Sequence, residues 1–140
     1  MTEEDPKLAE FGESRFASRV AYLATVRKNR SPRVNPVTPI IAYRDLYVFM
    51  GHTSPKGFDL KRNGLLAMHA SVENEDGGQG EFYIAGRAYL VEDKLVRSST
   101  VKHAGCDVDE NYVLFRFSID EALGAVYKGD ETIRHRWKRR

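Results

Sequence analysis

The sequence predicts a mostly-β fold that closes into a barrel, and three observations predict it. Short stretches of alternating polarity follow one another along most of the chain, with side chains switching faces at each residue. Most joints between them are short and carry turn residues, as in antiparallel meanders that close into barrels or sandwiches. Only two or three helical stretches interrupt the strands, too few for the strand–helix alternation of a parallel sheet.

Taken in order, residues 8–18 read as a short N-terminal helix with Leu8, Phe11 and Phe16 as docking residues. Residues 19–26 alternate, with Val20, Tyr22, Ala24 and Val26 on one side, and residues 29–32 form a turn. Residues 33–42 are extended, because Pro36 and Pro39 exclude a helix interior and mark an edge, a bulge or an interrupted ladder. Arg44-Asp45 turns the chain into a strand at 46–51. Ser54-Pro55 starts a helix as N-cap and first helical residue, and Asn63-Gly64 stops it.

A strand at 65–72 follows, then a polar, glycine-rich loop at 73–80, and a strand at 81–91 with Phe82, Ile84, Gly86, Ala88 and Leu90 on one face. Residues 92–104 read as a helix and 105–110 as a loop. The clearest strand is 111–119, where Val113, Phe115, Phe117 and Ile119 share a face. Residues 122–128 form a last strand, and 129–140 a basic tail.

With 140 residues, 41% hydrophobic and 30% charged, the chain suits one globular domain spanning 1–140. No apolar run approaches the roughly 18 residues that cross a bilayer, and the acidic start, Met1 to Asp5, is unlike a secretory signal. One cysteine, Cys106, allows no intrachain disulfide, so a reducing, cytoplasmic setting is expected. The net charge of +2 is uneven: residues 134–140 hold five of the 22 basic residues, leaving 17 basic against 20 acidic in the rest. Positive charge spread over a face, as a nucleic-acid surface needs, is missing, and no nucleic-acid or membrane partner is expected.

The most informative stretch is 33–56. A helix N-terminus exposes unpaired N–H groups and a positive dipole end, which favour an anion. Ser54 and Lys56 at that end, with Arg33 on the preceding extended segment, could complete a phosphate site. The competing reading is that Ser54-Pro55 merely caps and Lys56 is solvated. His103 and Cys106 lack the further ligands a metal site needs, His52 belongs to a turn or faces the site, and His69 reads as structural, so no metal is expected. Hydrolase elbows, Walker loops and dinucleotide fingerprints are absent, and Gly77 to Gly80 follow acids that repel phosphate.

Arg19 to Val26, Pro32-Arg33-Val34-Asn35-Pro36-Val37, Ser54-Pro55-Lys56 with Asp59-Leu60, and Gly80 to Ala88 stand in an order that resembles the pyridoxamine 5′-phosphate oxidase-related superfamily. The resemblance covers about 16–128, with Trp137 as an addition. It implies a six-stranded antiparallel split barrel that forms a homodimer and holds flavin mononucleotide (FMN) between subunits. By motif, Arg33, Ser54, Pro55 and Lys56 would hold the cofactor phosphate. Val34, Asn35 and Pro36 would edge the isoalloxazine, and Phe49, Met50 and Gly51 would line the ring and ribityl chain. Glu81 stands where oxidases of the family carry a flavin-contacting glutamine, and an ionised carboxylate cannot donate there. Arg136-Trp137 resembles a pair that reaches the partner's flavin; alternatively Trp137 covers apolar barrel surface.

What the resemblance implies is an FMN-dependent oxidoreductase acting on a small organic substrate or oxygen, with no catalytic residue identified. Alternatives on the same fold are a deazaflavin-dependent reductase and a non-catalytic module for flavin or haem. The substrate-gripping C-terminal segment of true oxidases is not matched by Arg134-His135, so vitamin B6 oxidation is not implied.

Overall fold

The computed structural model describes every residue except Thr2, Asp76, Gly78 and Cys106. Helix α1 (Pro6–Phe16) leads into β1 (Ala21–Val26), β2 (Pro32–Val37), β3 (Ile40–Ala42) and β4 (Asp45–Gly51). Then come α2 (Pro55–Arg62), β5 (Leu65–Ala70), β6 (Glu81–Val91), α3 (Lys94–Val101), β7 (Tyr112–Lys128) and β8 (Glu131–Lys138).

All described strands join one antiparallel sheet in the order β2-β1-β5-β6-β7-β4-β3, with β8 also on β7. The sheet curls without closing by hydrogen bonds, so the mostly-β expectation holds, with eight strands among the described residues rather than six. The expected 33–42 segment is two strands, because Pro39 brings no N–H to the ladder. The two strands expected at 111–119 and 122–128 are one, β7.

Ala85 pairs with Glu121 and Gly86 with Ile119, so Asp120 is left over as a bulge that bends β7 without ending it. Gly86 permits that close approach: a Cβ there would lie 1.9 Å from the Ser118 carbonyl oxygen. The bend lets the first half of β7 pair with β4 and the second half with β8. The supposed tail is therefore corrected to a strand, whose backbone groups are satisfied by β7.

The main core lies on the inner face of the sheet, around Leu23, Val48, Met68, Phe82, Ile84 and Phe115. Asp5 caps α1, its carboxylate accepting from the Leu8 N–H at 3.2 Å. Gly12 brings α1 onto the Phe82 ring, where a Cβ would come within 2.3 Å of the ring edge. Leu8 and Phe16 then bury completely, each stabilising the docked helix by about 1.5–3 kcal/mol. A smaller cluster of Ile40, Ala42, Tyr47 and Leu114 sits on the outer face beneath α3 and its flanks, where Val96 and Ala104 pack against it.

No described helix is long and apolar enough to cross a membrane.

Candidate functional site

Helix α2 closes the end of the barrel to which β4 delivers the chain. Ser54 is its N-cap and Pro55 its first residue, as the sequence indicated, but the Ser54 hydroxyl makes no capping bond. It accepts instead from the Lys56 ammonium, Nζ to Oγ 2.9 Å. Burial pushes the Lys56 pKa below the ordinary lysine range, and no carboxylate lies within 4 Å of Nζ among the described residues.

One turn along α2, Asp59 points inward and is buried. Its Oδ2 accepts from Thr25 Oγ1 at 2.8 Å and from Arg33 Nε at 2.7 Å, and its Oδ1 from Arg62 Nη2 at 3.0 Å. Burial alone would raise the Asp59 pKa, yet the bonds from Arg33, Thr25 and Arg62 outweigh it and hold the carboxyl below the usual range. This carboxylate fastens β2 to α2 through Arg33 and β1 to α2 through Thr25. The fastening uses only Nε of Arg33, and the side chain stays 26% exposed. Arg33, Lys56 and Arg62 against Asp59 leave the group with a net charge of +2.

Next to Lys56 is a cavity of about 310 Å³. Of the residues expected along the cofactor, Pro36, Phe49, Met50, Gly51 and Lys56 line it. Arg33 and Asn35 are half-buried on the inner side of β2, while Val34, 62% exposed, and Pro36 face outward. The far wall, Ala104, Asp107, Val108 and Tyr112, was not anticipated as part of any site. Arg97 of α3 holds that wall in place, donating to the carbonyls of Tyr112 at 2.6 Å and Asp109 at 3.2 Å, with its guanidinium 5.2 Å from the Phe49 ring centre. Asp59 was also unassigned as a site residue; its spacing from Lys56 and Arg62, three residues either way on one helix, was the available signal.

The remaining expected residues lie elsewhere in the chain. Glu81 opens β6 at the opposite end of the sheet from Arg33, and a hydrogen bond from Tyr127 to its carboxylate raises the pKa of that phenol. Trp137 is 8% exposed and belongs to the core, with its indole N–H donated to Glu4 Oε2 at 2.6 Å. It realises the barrel-covering alternative within the chain. Beside it His135 Nε2 meets Asp5 Oδ2 at 2.6 Å.

His52 is exposed in a turn, and His103 Nδ1 faces the Ser99 carbonyl. His69 Nδ1 lies 2.6 Å from the Ala70 carbonyl. Cys106, and Gly78 of the glycine loop, fall outside the described residues. Among the described residues no three His, Cys, Asp or Glu side chains converge as a metal would require.

No family model matches the chain, and no curated protein matches its sequence. Solved structures do match. A haem-binding protein from Mycobacterium smegmatis superposes with TM-score 0.73 at 16% identity, over 93% of this chain and 58% of its own. The chain thus spans little more than half of that protein. A NimC/NimA family protein from Clostridium acetobutylicum gives 0.70 at 18% identity, over 94% and 93% of the two chains. A candidate pyridoxamine 5′-phosphate oxidase from Listeria innocua gives 0.68 at 19%, over 87% and 97%. At such identities the likeness is one of architecture, and the chain has the split-barrel fold of the pyridoxamine 5′-phosphate oxidase-like proteins.

Proposed function

We propose that the protein binds FMN, as a homodimer, and acts as a flavin-dependent oxidoreductase on a small organic acceptor. The observation that carries this reading is Lys56 at the N-terminus of α2 beside an open cavity, with Arg33 and Arg62 held on Asp59 further along the same helix. A phosphate monoester brings about −1.5 to −2 charges near neutral pH, which matches the net +2. Lys56 fits the role because it is desolvated without an acid partner, a cost that an anion would offset. Arg33 fits because Asp59 fixes its plane through Nε, leaving its two terminal nitrogens for a paired contact with phosphate oxygens.

Arg33, Ser54, Pro55 and Lys56 would then hold the phosphate. Val34, Asn35, Pro36, Phe49, Met50 and Gly51 would border the rest of the cofactor. Bound flavin supplies hydride or single-electron transfer, and the chain supplies orientation and shelter from water. The haem-binding neighbour keeps a non-catalytic pigment-binding role on this fold in view.

Support for a dimer comes from the outer face of β2, β1, β5 and β6. Pro36, Tyr22, His69, Tyr83 and Leu123 lie in one row straight across the strands, and Val34, Ala24, Ala67 and Ala85 in the next. A largely apolar face of this kind, with Tyr22 48% exposed, suits a second copy. Glu81 lies on the same face, so a second copy would bring it near a shared cofactor. A cytoplasmic setting completes the reading, resting on the single cysteine.

The test is reconstitution. Protein mixed with FMN and desalted should keep the visible absorption of oxidised flavin, and light scattering should give twice the chain mass. A protein that rejects FMN, or takes up hemin with a Soret band in its place, would overturn the cofactor assignment. Monomeric mass for the loaded protein would overturn the dimer.

A further inference from the structure

His69 sits in the middle of the outer row, and its geometry suits a task that burial does not explain. Its Nδ1 is 2.6 Å from the Ala70 carbonyl oxygen. A carbonyl can only accept, so Nδ1 carries a hydrogen and the proton that comes and goes is on Nε2. A histidine whose one nitrogen is fixed in this way presents the other with a defined orientation and protonation role.

The groups facing His69 are few. Tyr22 of β1 and Tyr83 of β6 are its direct cross-strand partners. Glu81 lies two residues before Tyr83 on the same face, at a diagonal position roughly 7–8 Å away. Along β5 its same-face neighbour is Ala67, and no described bond engages Nε2. Pro36, expected beside the isoalloxazine, is in the same row two strands away, roughly 10 Å at ordinary strand spacing. A substrate lying against an isoalloxazine bound beside Pro36 would fall within that span.

We propose that His69 is the proton donor for two-electron acceptors at this site. The inference rests on the flavin reading above. As the acceptor takes a hydride from the reduced flavin, the Nε2–H bond of the His69 imidazolium breaks and its proton completes the reduced product. The imidazole is left neutral with Nδ1 still protonated, and the reductant is whatever nicotinamide nucleotide or dithionite first reduced the flavin. Hydride plus proton balances the two electrons and two hydrogens that a quinone gains. Tyr22 and Tyr83 flank His69 as its partners on the neighbouring strands, and Glu81 lies at the diagonal position.

The experiment compares wild type with His69→Gln, both loaded with FMN and reduced anaerobically. Reoxidation by a soluble quinone, which needs protons, is set against reoxidation by ferricyanide, which takes electrons alone. The variant should keep FMN affinity and the ferricyanide rate, yet lose on the order of 100-fold in the quinone rate at pH 6.

A readout independent of turnover is the nitrogen resonance spectrum of histidine-labelled wild type. Adding oxidised FMN should move the His69 Nε2 signal and leave Nδ1 hydrogen-bonded. Equal slowing with both oxidants would mean a structural role, and an unchanged quinone rate or an unmoved Nε2 signal would equally overturn the proposal. Failure of wild type to take up FMN at all is a different result, which removes the flavin reading and this inference with it.

Discussion

On α2 two cations share one buried carboxylate while Lys56 beside them has none; at the β8 end three side chains each meet an acid of their own. Asp59 answers Arg33 and Arg62, while Lys56, one turn away, has no acid within 4 Å among the described residues. On β8, His135 meets Asp5 and Trp137 meets Glu4, while Arg139 just beyond the strand approaches Asp120 at 3.4 Å. Both regions are rich in basic and aromatic residues, and both were expected at the cofactor. The difference is what is left over: beside α2 a desolvated Lys56 has no acid and borders a cavity, which invites an anion, whereas the β8 pairs tie the strand to the start of α1 and leave its other bases exposed to water. Clustered charge in a sequence therefore says less than the count of acids that reach it.

The largest expected effect breaks the β8 end. Trp137→Ala removes a buried indole from the main core and leaves Glu4 without its donor, which should cost about 3–5 kcal/mol of folding stability. Urea unfolding measures it. Flavin affinity of the molecules still folded should stay unchanged; a fall in affinity would show that β8 belongs to the cofactor site after all.

At the α2 end Asp59→Asn should cost about 3 kcal/mol, the lower part of the range for breaking a buried ion pair, because Arg33 and Arg62 retain contact with water. It should weaken FMN binding as well, since Arg33 loses its anchor. The pH dependence has a definite sign. The folded Asp59 carboxyl titrates below its unfolded value of about 3.9. Its contribution is thus full above that value and disappears as pH falls through the folded one. Wild type should lose stability in acid along a limb that the asparagine variant lacks, and parallel acid curves would contradict the network.

Lys56→Ala separates binding from folding. It should weaken FMN by about 1.5–3 kcal/mol, the scale of a charge-assisted hydrogen bond. Folding should not suffer, because the desolvated ammonium is a penalty in the free protein: its lowered pKa means that stability from this group rises with pH up to the ordinary lysine value of about 10.4. Wild-type FMN affinity should correspondingly decline with pH starting below that value, and fluorescence titration should find no such limb in the alanine variant. Unchanged affinity would return Ser54-Pro55-Lys56 to a capping role alone.

These residues also mark how far the sequence could be read. The ends of α2 were legible in Ser54-Pro55 and Asn63-Gly64, and Arg33 and Lys56 stood out because local chemistry at a helix start favours anions. The Asp59 tie was not, since it joins β1, β2 and α2 and no local pattern encodes that meeting. Strand β8 was read as a tail because it buries one side chain, Trp137, and so lacks the alternation that betrays a strand. Continuity of β7 was hidden by Asp120-Glu121, which look like a turn and are in fact a bulge and its neighbour. The cavity wall at 104–112 was hidden because an irregular segment becomes a wall only through tertiary bonds such as those from Arg97.

The smallest effect concerns the β3–β4 hairpin, which lies with α1 at the end of β4 remote from α2. Its two turn residues, Tyr43 and Arg44, have φ of 53° and 67°, the primed-turn geometry that Asn-Gly adopts with least strain. Left-handed backbone costs a residue with a Cβ about 1–2 kcal/mol. Against that relief stands the edge-on contact of Tyr43 with His103 at 5.2 Å, a pairing of the kind worth about 0.5–1.5 kcal/mol. The Arg44–Glu3 pair at 3.9 Å is exposed and contributes little. Replacing Tyr43-Arg44 by Asn-Gly should therefore stabilise the fold by about 1 kcal/mol, read as a higher urea midpoint with unchanged slope. FMN affinity should not move, because Asp45 and Gly51 stand roughly 20 Å apart along β4. A drop in affinity would mean that the hairpin is strained in the service of the cofactor end, and the division between the two regions would have to be redrawn.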